Sequence, residues 1–225
     1  MQRTLDRIPH TDPRNWPARM LTARPPRNCS WRAGIVLDQG GEGACVGFGW
    51  TAELGATPKI IPISDAEALY NYRLAVAIDR AEGRYYRSGA TVLAGAKAMR
   101  SAGYIREFRW GDGLYDTLSA LSWSGPVVLG IDWHESMYEA PDGLVTVSGA
   151  IAGGHCILAT GVSVRHKTVT LRNSWGPDWG NGGSAKIAWA DLQMLLAAGG
   201  EACVPVGRST GPVKQTSLSR LGLAA

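Results

Sequence analysis

The chain has 225 residues, of which 45% are hydrophobic and 19% charged, so it is no disordered polymer and has apolar mass enough for a real core. Its 29 glycines and 12 prolines point to shaped loops rather than a helical bundle, and four cysteines exclude a disulfide-dense scaffold. The net charge of +4 sits at the ends: residues 1–32 hold seven Arg against two Asp, residues 207–225 hold Arg208, Lys214 and Arg220 with no acid, and residues 33–206 are left with −4, a poor platform for specific nucleic-acid binding.

Residues 1–32 read as an extended basic arm. Pro9, Pro13, Pro17, Pro25 and Pro26 block long helices there, while Trp16 and Trp31 predict that the arm lies along a body in extended form, strapping two lobes together or limiting access to a cleft between them. A short helix is expected from Cys45 to Leu54, with Gly47 and Gly49 allowing close approach by a neighbour. Ser64-Asp65-Ala66-Glu67 is a capping box opening a helix through Ile78, stopped by Gly83. Further helices are expected over Thr91–Ala102, with Gly103 after it, and over Leu114–Ser122. The texture then changes to strands at Pro126–Ile131, His155–Val164, Thr168–Leu171 and Gly183–Ala188, followed by a helix over Ala190–Leu196. Helices first and strands second predict an α+β protein of two segregated layers, with a boundary between residues 110 and 125. No segment reaches the ~18 apolar residues of a membrane span, and none resembles a signal peptide, so a cytoplasmic setting with reduced thiols is expected.

Two stretches carry chemistry. In Gln39-Gly40-Gly41-Glu42-Gly43-Ala44-Cys45 a cysteine follows a glycine-rich turn at a helix N-terminus, where free N–H groups and the helix dipole favour a thiolate. The Gln39 amide could join the Cys45 N–H as a pair of oxyanion donors. In Gly153-Gly154-His155-Cys156 and Asn173-Ser174-Trp175-Gly176, a turn at Arg165-His166-Lys167 would make the two strands antiparallel. His155 and Asn173 then lie at the same end of the hairpin, within hydrogen-bonding range. Asn173 can orient the imidazole, and Trp175 can shield the bond from water.

Together these stretches resemble the papain family of cysteine peptidases: Gln39…Cys45, Gly-Gly-His at 153–155 and Asn-Ser-Trp-Gly at 173–176, with Trp179-Gly180 following, in the family's order. The resemblance covers about residues 33–200. It implies a two-lobed fold with a cleft between a helical lobe over 33–112 and a β-barrel-like lobe over 113–206, flanked by the arm and by a basic C-terminal tail over 207–225. It implies a Cys45 nucleophile, a His155 base, an orienting Asn173, an oxyanion donor in Gln39 and a thiolate–imidazolium resting pair. It also implies substrate contacts at Gly89, Gly154 and Trp175. The sequence departs from the family in having Glu42 and Val46 near the nucleophile, and only 110 residues between Cys45 and His155 against about 130–150 in typical members. Trimmed loops and a 44-residue lead before Cys45 suggest a compact bacterial or bacteriophage type, virion-associated in the latter case.

The expected activity is hydrolysis of peptide bonds in a peptide or protein substrate, with no cofactor. Alternatives are another acyl-transfer enzyme on the same fold (isopeptidase, cell-wall amidase or transpeptidase) and a non-catalytic binding module. No metal site is expected: His134-Glu135 lacks the second histidine of a zinc-protease helix, and no histidine has ligand spacing with Cys29 or Cys203.

Overall fold

The computed structural model describes residues 3–9 and 24–209; Trp16 and the tail beyond Ser209 lie outside them. The first half contributes short strands β1 (Arg7–Ile8), β2 (Cys29–Ser30) and β3 (Ala90–Thr91), and helices α1 (Cys45–Leu54), α2 (Asp65–Ala81) and α3 (Val92–Ser101). Strand β4 (Glu107–Trp110) and helix α4 (Gly113–Trp123) lead into β5 (Val127–His134), β6 (Leu144–Val145), β7 (Ile151–Ser163), β8 (Thr168–Arg172), β9 (Ser184–Ala188), α5 (Trp189–Ala197) and β10 (Glu201–Val206). One sheet runs in the order β4-β10-β5-β7-β8-β9-β6, with β2 added to β7. It is antiparallel except for β6 beside β9.

The period-2 alternation of the strands builds two cores. Val128, Cys156, Leu158 and Cys203 face α1, α2 and α3, while Leu129, Ile131, Ile157 and Leu171 face α4 and α5. Helix α1 is buried on every side, and its glycines explain how. A Cβ on Gly47 would lie 2.4 Å from the Ala68 carbonyl in α2, and one on Gly49 would lie 2.7 Å from Cys156 Sγ in β7.

Ser64 caps α2 by accepting from the Glu67 N–H. The expected reciprocal bond is replaced by the Ser64 hydroxyl donating to Glu67 Oε2. At the far end of α2, buried Asp79 accepts from the Thr91 N–H and hydroxyl, both at 2.9 Å. Thr91 in turn caps α3. This network fixes β3 at the edge of the helical layer.

Three differences from the sequence expectations stand out. Strand β7 begins at Ile151 rather than His155 because it pairs with β5 as far as His134. Strands β4 and β10 escape a pattern search, being short, charged at their ends and, in β10, interrupted by Pro205. The arm packs along the body as expected where described, with Trp31 Nε1 donating to the Leu121 carbonyl and Arg7 buried. Arg208, expected in a solvated tail, is buried against Glu53 and donates to the carbonyls of Leu54 and Lys59.

Candidate active site

Cys45 is the first residue of α1, and no side chain caps the helix N-terminus. Its thiol is wholly buried, with the backbone N–H groups of Asp6, Cys156 and Val46 directed at the sulfur. Contact with the Cys156 amide places the thiol beside the peptide that follows His155. One turn along α1, a Cβ on Gly49 would lie 2.7 Å from Cys156 Sγ, so α1 and β7 remain close there.

The His155 imidazole is also fully buried. Its Nε2 lies 2.7 Å from Asn173 Oδ1, which also accepts from the Ser174 N–H at 2.9 Å. A peptide N–H can only donate, so the Asn173 atom facing both groups is the oxygen. His155 therefore carries its proton on Nε2. Nδ1 is left as a buried lone pair without a partner.

The ring is clamped by Trp133 and Trp175, each with its centroid 4.7 Å away. Tyr138 stacks on the outer side of Trp175. These rings keep water from the His155–Asn173 bond. Trp133 has no motif to announce it; the signal is alternation in β5, which places it on the face of Leu129 and Ile131.

Gln39 is buried, and its amide is fixed at both ends. Oε1 accepts from the Ser174 hydroxyl at 2.7 Å; Nε2 donates to the Glu42 carbonyl at 2.8 Å and to the Thr4 carbonyl at 3.1 Å. Ser174 thus couples Gln39 to Asn173 through its hydroxyl and its N–H, a link invisible in its motif.

The Thr4 contact belongs to a larger feature. Residues 3–8 run across the site: Thr4 occupies Gln39, Asp6 places its N–H on Cys45, and Arg7–Ile8 pair parallel with Ala90–Thr91. Two of the sequence-predicted substrate contacts line this path. A Cβ on Gly89 would lie 1.9 Å from the Asp6 carbonyl, and one on Gly154 would lie 2.2 Å from the Arg7 carbonyl. At Trp175, the third, the Arg3 guanidinium sits 5.1 Å over the ring.

This cover changes the electrostatics expected from the resemblance. Burial pushes the Cys45 thiol up from 9.0 to about 11, against the lowering effect of the N–H groups. Burial also holds His155 down at about 4, partly opposed by Asn173. The site therefore holds a neutral thiol and a neutral imidazole, not the expected thiolate–imidazolium pair, because burial strips both charged forms of their hydration. Cys156 faces the helical core, as alternation requires, and its thiol is pushed well above 9.0.

All four cysteines are free. Among the described residues no group of three or more His, Cys, Asp or Glu could hold a metal ion, and no helix is long and apolar enough to cross a membrane.

No protein-family model matches the chain. It is 24% identical over 185 residues to cathepsin B-like CP2 of Giardia intestinalis, an alignment covering 66% of this chain. It spans 62% of the length of that relative. In three dimensions it is similar to xylellain, a cysteine protease from Xylella fastidiosa, with a TM-score of 0.63 and 17% identity, covering 93% of this chain and 99% of that one. It is similar also to the bromelain protease from Ananas comosus, with a TM-score of 0.59 and 17% identity, covering 81% and 100%. Procathepsin L 3 of Tenebrio molitor gives a TM-score of 0.59 at 15% identity, covering 85% and 75%.

Proposed function

We propose that this chain, whose fold is that of the papain-like cysteine proteases, is a cysteine peptidase that hydrolyses peptide bonds in peptide or protein substrates. The observation that carries the reading is the locked imidazole. Asn173 and the Ser174 N–H fix the proton on Nε2, leaving the Nδ1 lone pair as base beside a cysteine at a helix N-terminus.

Once residues 3–8 are displaced, water and substrate reach the pair. His155 Nδ1 takes the Cys45 proton, and the sulfur attacks the substrate carbonyl carbon. The resulting oxyanion is held by the Cys45 N–H and by Gln39 Nε2, the donor that Thr4 occupies in the covered form. His155 returns the proton to the leaving amine, and the C–N bond breaks. Water then adds to the thioester, giving its proton to His155, and the carboxylic acid leaves as the thiol reforms.

The test is a peptide-library digest with the full chain carrying Arg7→Ala, which loosens the cover, against the same chain with Cys45→Ala added. Products are expected from the first and none from the second. Equal product from both, or none from either, overturns the peptidase reading.

A further inference from the structure

Asn173 holds the His155 imidazole at one atom, Nε2. A ring held at one atom can still swing, and the swing moves Nδ1, the atom that the proposed reaction uses. What stops it has to come from packing. Trp175 packs at 33° to the imidazole and limits its tilting, backed by Tyr138 in a near-parallel stack. Neither ring limits rotation of the imidazole within its own plane.

Trp133 is placed to do so. Its indole stands at 70° to the imidazole and at 79° to Trp175. The ring centroids of His155, Trp133 and Trp175 form an almost equilateral triangle, with sides of 4.7, 5.2 and 4.7 Å. Were Trp133 on the imidazole face opposite Trp175, the two indoles would be nearly twice as far apart. It therefore stands beside the pair, across the edges of both rings. The strand register carries it there. Ile131 is paired with His155 and Trp133 with Gly153, so Trp133 and His155 are diagonal neighbours on one face of the sheet, within reach of a large aromatic side chain. Gly153 has no side chain to hold the indole off.

Tryptophan is a poor filler for a closed core. Trp133 is fully buried, and its Nε1–H finds no partner among the described residues, a donor desolvated without return. Phenylalanine would carry no such donor. What the indole adds is breadth: it also meets Trp179, with centroids 6.2 Å apart, and so is braced on one side while it bears on His155 with another.

We propose that Trp133 is a positioning residue of the enzyme, which blocks rotation of the His155 imidazole in its own plane and so keeps Nδ1 aimed for proton transfer. This rests on the peptidase reading above. Being fully buried, Trp133 acts through His155 and does not touch the substrate.

The experiment compares Trp133→Leu and Trp133→Phe, each in the full chain carrying Arg7→Ala, which removes the Arg7–Glu201 ion pair and loosens the cover. Leucine keeps the position apolar without an aromatic edge; phenylalanine keeps an edge and loses breadth. Values of kcat and KM are measured on a peptide that the Arg7→Ala chain cleaves, below the melting temperature of every variant. In parallel, nitrogen-15 NMR of histidine-labelled chains follows the exchange with water of His155 Nε2–H, the proton held by Asn173.

Trp133→Leu is expected to lower kcat about 100-fold, the effect of a misplacement of roughly 1 Å, and to leave KM within about twofold. Exchange of Nε2–H should quicken at least ~tenfold as its bond loosens. Trp133→Phe should fall between the leucine variant and the Arg7→Ala chain in both readouts. A merely structural role would lower the melting temperature and leave kcat and exchange unchanged; that result overturns the proposal, as does a loss carried by KM. If Trp133→Leu does not fold, Trp133→Phe decides by the same two readouts. If the Arg7→Ala chain cleaves no peptide, the peptidase reading fails and exchange alone decides: faster exchange in the variants supports the positioning of His155 by Trp133, and unchanged exchange overturns it.

Discussion

Replacing Gly154 by Ala tests whether residues 3–8 control the nucleophile. The new Cβ would lie 2.2 Å from the Arg7 carbonyl, a backbone atom that cannot rotate away, so the segment has to move. In the parent chain the Cys45 pKa of about 11, against an ordinary 9.0, lowers the thiolate fraction at pH 7 by about 100-fold. The absence of any exposed thiol surface slows reaction further. Iodoacetamide at pH 7 should therefore alkylate parental Cys45 at least ~100-fold more slowly than glutathione. Gly154→Ala should label at or above the glutathione rate, as hydration returns and the helix N-terminus and His155 stabilise the thiolate. Peptide mapping of the alkylated cysteine after brief exposure, with circular dichroism to confirm the fold, measures this. Fast labelling of Cys45 in the parent would refute the burial argument. A variant as slow as the parent, yet fully labelled in urea, would refute the assignment of residues 3–8 as the cover.

Ser174→Ala removes the bond that holds Gln39 Oε1, so in a chain opened by Arg7→Ala it should lower kcat about tenfold, less than the roughly 10²–10³ expected for Gln39→Ala; peptide hydrolysis assays of the two variants side by side check the order. Arg208→Ala leaves Glu53 buried without its counter-charge, which should cost about 3 kcal/mol in urea unfolding at pH 8 and less at pH 6, where a carboxyl already raised to about 7 takes up a proton. His155 is held at about 4 against an ordinary 6.5, so the unfolded chain binds its proton first and the stability it contributes, complete above pH 6.5, is lost as the pH falls towards 4. Between pH 7.5 and 4.5 the parent should lose about 2–3 kcal/mol more than His155→Gln; the difference between the two chains is the quantity to measure, because Glu53 and Glu201, both raised to about 7, act with opposite sign in the same window.

Much of the site is legible in the sequence because its parts are local. Cys45 follows a glycine-rich turn, His155 lies in β7 and Asn173 directly follows β8, and a short turn joins the two strands, so spacing and antiparallel register bring His155 and Asn173 together. The helices were equally readable, since Ser64 and Thr91 announce their own starts. What escaped depends on contacts between distant segments. Nothing near Ser174 reveals that its hydroxyl faces Gln39, 135 positions away. Nothing near Arg7 reveals Glu201, 194 positions away. The neutral state of Cys45 escaped for the same reason: its local surroundings favour a thiolate, and only a segment folding back from the chain's start removes the water that a thiolate needs. The prolines and tryptophans of residues 1–32 place the arm on the body, but they do not say which of its residues meet Cys45 and Gln39.

The close approach of Gly49 and Cys156 makes the spacing of Cys45 and His155 depend on two residues outside the proposed chemistry. One methyl at position 49 would start 2.7 Å from the sulfur, so either the buried Cys156 side chain turns aside or α1 moves away from β7, and a shift of roughly 1 Å is of the size that costs about 100-fold in rate. Shrinking residue 156 would restore the spacing. Positions 49 and 156 thus behave as a single inherited unit: bulk can move from one to the other, but a lineage that changes either alone passes through a chain in which Cys45 and His155 are both present and no longer at their original spacing.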